Sequence, residues 1–92
     1  MAGLLTEDQI KAHLFHHPDW RRKEMEISRT FELKNFVLAM GFVNSVAMLA
    51  EKANHHPDID IRWNKVTLTL STHSEGGLTD KDFQLAKAID EM

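Results

Sequence analysis

The sequence predicts an α+β domain, in which helices pack on one face of a four-stranded antiparallel sheet. Apolar residues recur with a helical period in three segments and with a period of two in four others, in the order α-β-β-α-β-β-α. The strand-like segments come in adjacent pairs joined by short turns, which is typical of antiparallel hairpins. With 92 residues the chain should form a single domain, residues 1–92.

The first helix and the first hairpin are indicated by local signals. Thr6 and Gln9 have the spacing of a capping box, so the helix should begin at about residue 7 and stop near residue 15, before Pro18. Residues 20–33 then alternate between apolar and polar, which favours two short strands with a turn near Glu24. The side chains expected to face the core are Met25, Ile27, Phe31 and Leu33.

The longest apolar segment, residues 34–53, predicts a second helix. One helical face is expected to consist of Phe36, Met40, Val43, Ala47 and Ala50, broadened by Val37, Leu38, Phe42, Val46 and Leu49. A helix that is apolar over so much of its circumference should pack on the sheet and on a second partner, for which another subunit is the simplest candidate.

A second hairpin and a last helix complete the chain. Residues 58–70 alternate in polarity, and Asn64-Lys65 is the expected turn. The apolar side of this hairpin consists of Ile59, Ile61, Trp63, Val66, Leu68 and Leu70. Thr79 and Asp82 have capping-box spacing at the start of the last helix.

Composition excludes several classes of protein. Cysteine is absent, so disulfides, thiolate ligands and cysteine nucleophiles are ruled out. The net charge of −3, without a basic stripe, disfavours direct binding to nucleic acid. No run approaches the roughly 20 apolar residues of a membrane span, and the N-terminus does not resemble a signal peptide. We therefore expect a soluble, cytoplasmic protein that does not bind membranes.

Three histidines are the most informative residues. His55 and His56 are adjacent and precede Pro57 at the end of the second helix, and His73 follows the last strand. Imidazoles exchange protons near neutral pH, so three around one polar cleft would suit acid–base catalysis. Each histidine of the pair, taken alone, could instead cap the helix. A metal site is a further alternative, although adjacent residues seldom bind one ion and no HExxH-type spacing is present.

The tetrapeptide His16-His17-Pro18-Asp19 repeats His55-His56-Pro57-Asp58. The flanking residues do not match, so the two copies are not an internal duplication. We interpret the first copy as the stop of the first helix.

An ordered set of residues occupies the second half of the chain: Glu51, His55-His56-Pro57, Trp63, Asn64-Lys65-Val66, Leu70-Ser71-Thr72-His73 and Asp82. This set resembles the signature of the pterin-4a-carbinolamine dehydratase family. The similarity continues through the end of the last strand and weakens toward the N-terminus. The sequence departs from animal members at Lys81 and Ile59, where arginine and tryptophan are common.

The resemblance implies dehydration of a 4a-hydroxytetrahydropterin, the product of aromatic amino acid hydroxylases, to quinonoid dihydropterin. It implies no metal and no organic cofactor, and a pterin as the small-molecule partner. The family's active-site histidines correspond to His55, His56 and His73. Residues expected to bind substrate or support the histidines are Glu51, Pro57, Trp63, Ser71, Thr72 and Asp82.

Three of the supporting residues have a second explanation. Glu51 could orient His55 one turn further on, or simply be a solvated helix residue. Trp63 could lie against the pterin, but an aromatic residue on the apolar side of a strand favours the core. Asp82 could face the site or only cap the last helix.

The resemblance also implies either a homodimer formed by paired sheets or a homotetramer whose four-helix core is built by the second helix. Animal members of the family additionally stabilise dimers of a homeodomain transcription factor. The second functional hypothesis is therefore a non-catalytic binding module that acts through the apolar surface of this helix.

Overall fold

A computed structural model describes residues 3–92 and confirms the predicted α+β class and element order. A short 3-10 turn, His73–Glu75, follows the last strand. The elements are helix α1 (Glu7–His16), strands β1 (Arg21–Lys23) and β2 (Glu26–Glu32), helix α2 (Phe36–Ala53), strands β3 (Asp58–Arg62) and β4 (Lys65–Leu70), and helix α3 (Asp80–Asp90).

The four strands form one antiparallel sheet in the order β1-β2-β4-β3. The central strands β2 and β4 contribute the fully buried side chains Ile27, Val66, Leu68 and Leu70. Thr30 and Thr67 pair on the opposite face, where their hydroxyl oxygens lie 2.8 Å apart. One face is therefore apolar and covered by helices, and the other is polar, as period-two alternation predicts.

Both capping boxes are present as predicted. The Thr6 hydroxyl accepts the Gln9 backbone N–H at the start of α1, and the Gln9 side chain in turn accepts the Thr6 N–H. A reciprocal pair between Thr79 and Asp82 begins α3. These contacts depend on residues three apart in sequence, so the local pattern is sufficient to predict them.

The predicted inner face of α2 was wrong in part. Ala39, Val46 and Ala50 are buried against β4 and α3, whereas Phe36 and Met40 are exposed. Small side chains let the helix approach its neighbours closely. Because α2 is apolar on most sides, its sequence does not show which side faces the core. The large side chains exposed on α2 are Phe36, Val37, Leu38, Met40 and Met48; we call them the outer face of α2.

By length and composition alone, α2 is apolar enough to cross a membrane, with a mean hydropathy of 1.4 over its 18 residues. Its buried residues contact the sheet and α3, while Asn44, Ser45 and Glu51 are also exposed. Polar and charged groups on a lipid-facing surface are costly. The exposed polar and charged residues therefore argue against a lipid-facing position for α2.

Two predicted core residues lie in turns instead. Met25 follows Glu24, which has a positive φ of 53°, and its side chain is 59% exposed. The second hairpin turns at Trp63 and Asn64, one residue earlier than predicted, and Trp63 adopts a φ of 55°. This left-handed backbone directs Trp63 out of the sheet, so the indole is 70% exposed and the expected core position was wrong. Asn64 is buried and donates to the Leu33 carbonyl.

Asp90, in the last turn of α3, connects several parts of the fold. Its two carboxylate oxygens accept the indole N–H of the buried Trp20 at 2.9 and 3.0 Å. Arg29 donates to the same carboxylate at 2.8 Å, and its guanidinium lies 4.3 Å from the centre of the Phe31 ring. Because Arg29 lies opposite Leu68 and shares the apolar face of the sheet, this carboxylate neutralises a charge that would otherwise be costly there.

The first copy of the repeated tetrapeptide ends a helix, as predicted. Helix α1 stops at His16, and His17 is its C-cap. His17 Nδ1 lies 3.4 Å from Asp90. The pair therefore attaches the end of α1 to the end of α3.

Glu7 and Arg22 connect α1 to β1 through a two-pronged ion pair. The hydrogen bond from Arg22 lowers the pKa of the Glu7 carboxyl from its ordinary value of 4.5. The pKa of Glu7 is lower in the folded protein than in the unfolded chain, so the ion pair stabilises the fold at pH values above the ordinary pKa. This stabilisation is lost as the pH falls through the lowered pKa.

We expect Glu7→Gln to lower the melting temperature slightly at neutral pH, because exposed ion pairs contribute little. The difference from wild type should shrink as melts are repeated down to about pH 3. A difference that stays constant over this range would show that the pair does not act through the charge of Glu7.

Candidate active site

His55 is fixed by a buried carboxylate. Helix α2 ends at Ala53, and Asn54 adopts a left-handed conformation with φ 51° and ψ 43°, which turns the chain back over the helix end. The ring of His55 then reaches α3, where its Nε2 atom lies 2.6 Å from Asp82 Oδ1. The His55 side chain is 11% exposed and that of Asp82 is fully buried.

Two further contacts hold Asp82 in place. Its second oxygen, Oδ2, accepts the Thr72 hydroxyl at 2.8 Å and the Thr79 backbone N–H at 2.9 Å. The hydroxyl oxygens of Thr72 and Thr79 are themselves 2.8 Å apart. Asp82 therefore caps α3 and contacts His55 with the same carboxylate, so the two explanations of this residue apply together.

The contact with Asp82 determines which ring nitrogen of His55 can exchange a proton. A carboxylate accepts hydrogen bonds only, so His55 must carry a proton on Nε2 to make this contact. Nδ1 is then the nitrogen left for proton transfer in the neutral ring. In this state His55 can take up a proton, and once charged it can donate one.

The expectation that Glu51 orients His55 was wrong, because Glu51 contacts His56 instead. Glu51 Oε2 lies 2.5 Å from His56 Nε2. The helix ends before residue 55, so the one-turn spacing from Glu51 no longer applies, and the reversed chain brings His56 over the helix. Both side chains are more than half exposed, so this pair borders solvent while the His55–Asp82 pair is inside the protein.

An open pocket of about 390 Å³ brings the three predicted histidines together. His55 and His56 approach it from the end of α2, and His73 approaches from the 3-10 turn after β4. His73 is exposed, and its ring makes no hydrogen bond with residues 3–92. The lining residues are Asn54, His55, His56, Ser71, Thr72, His73, Ser74 and Lys81.

The other predicted supporting residues have different positions. Ser71 and Thr72 line the pocket, and the Ser71 hydroxyl donates to the Met25 carbonyl at 2.8 Å. Pro57 is half-buried just before β3 and does not line the pocket. Trp63 lies in the turn of the β3–β4 hairpin, whereas the pocket lies at the other end of β4. The length of this strand separates them by about 20 Å.

Sequence reasoning did not assign Asn54, Ser74 or Thr79 to the site. Asn54 carries a recognisable signal, because asparagine tolerates the left-handed conformation that ends a helix. Thr79 was identified only as a cap, although its backbone N–H holds Asp82 in position for His55. Ser74 enters the pocket through the 3-10 turn, which no local pattern predicted.

Within residues 3–92, no three histidine, aspartate or glutamate side chains are grouped so that they could hold a metal ion. His55 and His56 each direct Nε2 to a different carboxylate. The arrangement is suited to proton transfer, in which separate imidazoles act on separate atoms of one ligand.

Comparison with known proteins gives matches along the whole described chain. A family model described as pterin 4 alpha carbinolamine dehydratase matches residues 3–92. A relative from Roseiflexus castenholzii is 56% identical over 92 residues, which is 100% of this chain and 99% of the relative. One from Chloroflexus aurantiacus is 58% identical over 88 residues, covering 96% and 95%. Both carry the name "Putative pterin-4-alpha-carbinolamine dehydratase".

Two solved structures are similar to this fold. A "transcriptional coactivator/pterin dehydratase" from Brucella melitensis has a TM-score of 0.90 and 36% identity, with 95% of each chain covered. A "pterin dehydratase-like protein", described as a RuBisCO assembly factor in the alpha-carboxysome, has a TM-score of 0.67, with 83% of this chain and 90% of that chain covered. Its identity of 23% shows a shared fold only.

Proposed function

The chain belongs to the pterin 4 alpha carbinolamine dehydratase family, and we propose that it dehydrates a 4a-hydroxytetrahydropterin to quinonoid dihydropterin. The observation that carries this proposal is the pocket on which His55, His56 and His73 converge. The physiological source of the substrate is proposed to be an aromatic amino acid hydroxylase, so the enzyme would act in pterin recycling.

The reaction is an elimination of water that requires two proton transfers. The bond between C4a and the hydroxyl oxygen breaks, and the leaving hydroxyl needs a proton to depart as water. Ring nitrogen N5 loses its proton, and a double bond forms between C4a and N5. No electrons are exchanged with another molecule, so the proposed reaction needs no redox cofactor, and imidazoles can supply both proton transfers without a metal.

Histidines suit both transfers. One imidazolium would protonate the leaving hydroxyl while a neutral imidazole accepts the proton from N5. His55 and His56 are oriented by Asp82 and Glu51 through Nε2, and each has Nδ1 left for exchange. His73 has no carboxylate partner within residues 3–92 and reaches the pocket from a different element. Three rings around one ligand could serve both faces of the pterin.

The proposal is tested by the rate of dehydration. The unstable 4a-hydroxytetrahydropterin is generated in the cuvette, and its conversion to quinonoid dihydropterin is followed by stopped-flow absorbance. We expect purified protein to accelerate the reaction in proportion to its concentration. A rate equal to the uncatalysed rate, with folded protein in excess over pterin, would refute the proposal.

A second function is favoured by the outer face of α2, where Val37 and Met48 are 76% and 74% exposed. Apolar patches of this kind mark protein contacts. We propose self-association into a dimer or a tetramer through this face as the simplest explanation. The alternative is a binding module for a different protein, and one solved relative is described as a "transcriptional coactivator/pterin dehydratase".

The mass of the protein in solution distinguishes these explanations. We expect light scattering coupled to size-exclusion chromatography to give a dimer or tetramer at micromolar concentration. Met48→Glu should lower the mass, because a buried carboxylate would be unpaired in the interface. Met25→Glu is the matched control, since Met25 is also exposed but lies in the β1–β2 turn. A monomeric wild-type protein would favour a different partner for the outer face.

A further inference from the structure

A groove between α2 and α3 adjoins the histidine pocket. Its volume is about 330 Å³, and it shares His55 and Lys81 with the pocket. The two spaces are therefore neighbours. The residues that line the groove are Leu49, Lys52, Ala53, His55, Lys81, Gln84, Leu85 and Ala88.

The groove combines apolar walls with two cations. Leu49, Ala53, Leu85 and Ala88 form its aliphatic surface, and Lys52 and Lys81 are exposed. Among the residues that the structure describes, 3–92, no acidic side chain lines the groove. Within residues 3–92, neither lysine has a carboxylate within the 4.0 Å of an ion pair. Such a surface is complementary to a ligand with an apolar segment and an anionic end.

The chemistry of the pterin indicates which part of a ligand would reach this groove. The reacting atoms C4a and N5 must lie against the histidines, and C6 is bonded directly to N5. A substituent on C6 therefore begins beside the histidines. His55 borders both the pocket and the groove, so a C6 substituent that passes this ring enters the space between α2 and α3.

We propose that the α2–α3 groove binds the C6 substituent of the pterin and favours one with an apolar segment that ends in an anionic group. This inference rests on the proposed function. Leu49 and Leu85 contact the apolar segment, and Lys52 and Lys81 attract the anionic end. The protein should therefore prefer pterins with an aryl-carboxylate substituent over those with a short neutral polyhydroxyl chain.

The test is the affinity for two reduced pterins, measured by titration calorimetry at low salt. 7,8-Dihydrobiopterin has a short neutral substituent, and 7,8-dihydrofolate has an aryl group that ends in carboxylates. We expect 7,8-dihydrofolate to bind about tenfold more tightly, because it buries apolar area and contacts the lysines. Added salt should reduce this preference, since exposed charges are screened.

The Lys52→Gln variant tests whether the groove causes the preference for 7,8-dihydrofolate. It should weaken 7,8-dihydrofolate binding by about two- to fivefold and leave 7,8-dihydrobiopterin binding unchanged. Lys34→Gln is the matched control, because it removes the same charge just before α2, at the opposite end from the groove. It should change neither affinity.

Equal affinity for the two pterins, or a Lys52→Gln variant that binds 7,8-dihydrofolate like wild type, would overturn the inference. If the protein still dehydrates a neutral 4a-hydroxytetrahydropterin in that case, only the role of the groove is wrong. If neither pterin binds and no dehydration is seen, the proposed function fails as well.

Discussion

Replacing His55 with alanine should lower the rate of dehydration by about 10²- to 10⁴-fold, the contribution typical of a positioned acid or base. His55 is the only one of the three pocket histidines whose partner carboxylate is fully buried. Thr72 and Thr79 hold Asp82 in turn, so the imidazole of His55 has a fixed orientation. A water molecule that filled its place in the variant would not be oriented in this way. The measurement is the stopped-flow rate at saturating pterin, with circular dichroism as the check that the variant is folded.

His16→Ala is the matched control for this experiment. His16 belongs to the first copy of the same tetrapeptide, is exposed, and lies outside the pocket. Its removal should leave the rate unchanged, while His56→Ala and His73→Ala should each reduce it. A His55→Ala variant as fast as wild type would show that His55 acts only as a structural contact for α3.

Replacing Asp90 with alanine should reduce the free energy of unfolding by about 2–3 kcal/mol, because it leaves the Trp20 indole N–H without its acceptor and removes the nearer of the two carboxylates that contact Arg29. The Trp20 indole N–H is buried, and Arg29 is on the apolar face of the sheet. For a domain of this size, the loss corresponds to a fall in melting temperature of roughly 10–20 °C. Urea unfolding followed by circular dichroism gives the free energy directly.

Two further variants test the cause of this effect. Asp90→Asn keeps one oxygen that can accept from Trp20 but removes the charge opposite Arg29, so it should cost less than alanine. Glu91→Ala removes a neighbouring exposed carboxylate and should change stability little. Similar losses for Asp90→Ala and Glu91→Ala would mean that the Asp90 contacts do not stabilise the fold.

The elements that the sequence predicted well depend on short-range patterns. The capping residues Thr6 and Thr79 act on backbone groups two or three residues away, so their spacing is sufficient. The alternation that predicted β2 and β4 reflects the pleat itself. The order of the strands, β1-β2-β4-β3, was not part of the prediction, because two hairpins joined by one helix can pair through different edge strands.

The features that the sequence did not predict depend on contacts between distant residues or on backbone turns. The buried face of α2 is chosen by the sheet and α3, since most of its sides are apolar. Trp63 leaves the core because of its left-handed backbone, which is uncommon for a bulky residue. Glu51 contacts His56 because the helix ends two residues before His55. In the site, spacing identified which histidines meet, whereas their partners required the three-dimensional fold.

The opposite environments of the two tryptophans have a practical consequence. The chain contains no tyrosine, so Trp20 and Trp63 account for its intrinsic fluorescence. Trp20 is 3% exposed and donates to Asp90, whereas Trp63 is 70% exposed at the tip of the β3–β4 hairpin. Indole emission shifts when its surroundings become aqueous, so unfolding should shift the emission of Trp20 and leave that of Trp63 nearly unchanged. Replacing Trp63 with phenylalanine would leave Trp20 as the single emitter, which reports on the core. Replacing Trp20 with phenylalanine would leave Trp63, which reports on the surface of the hairpin.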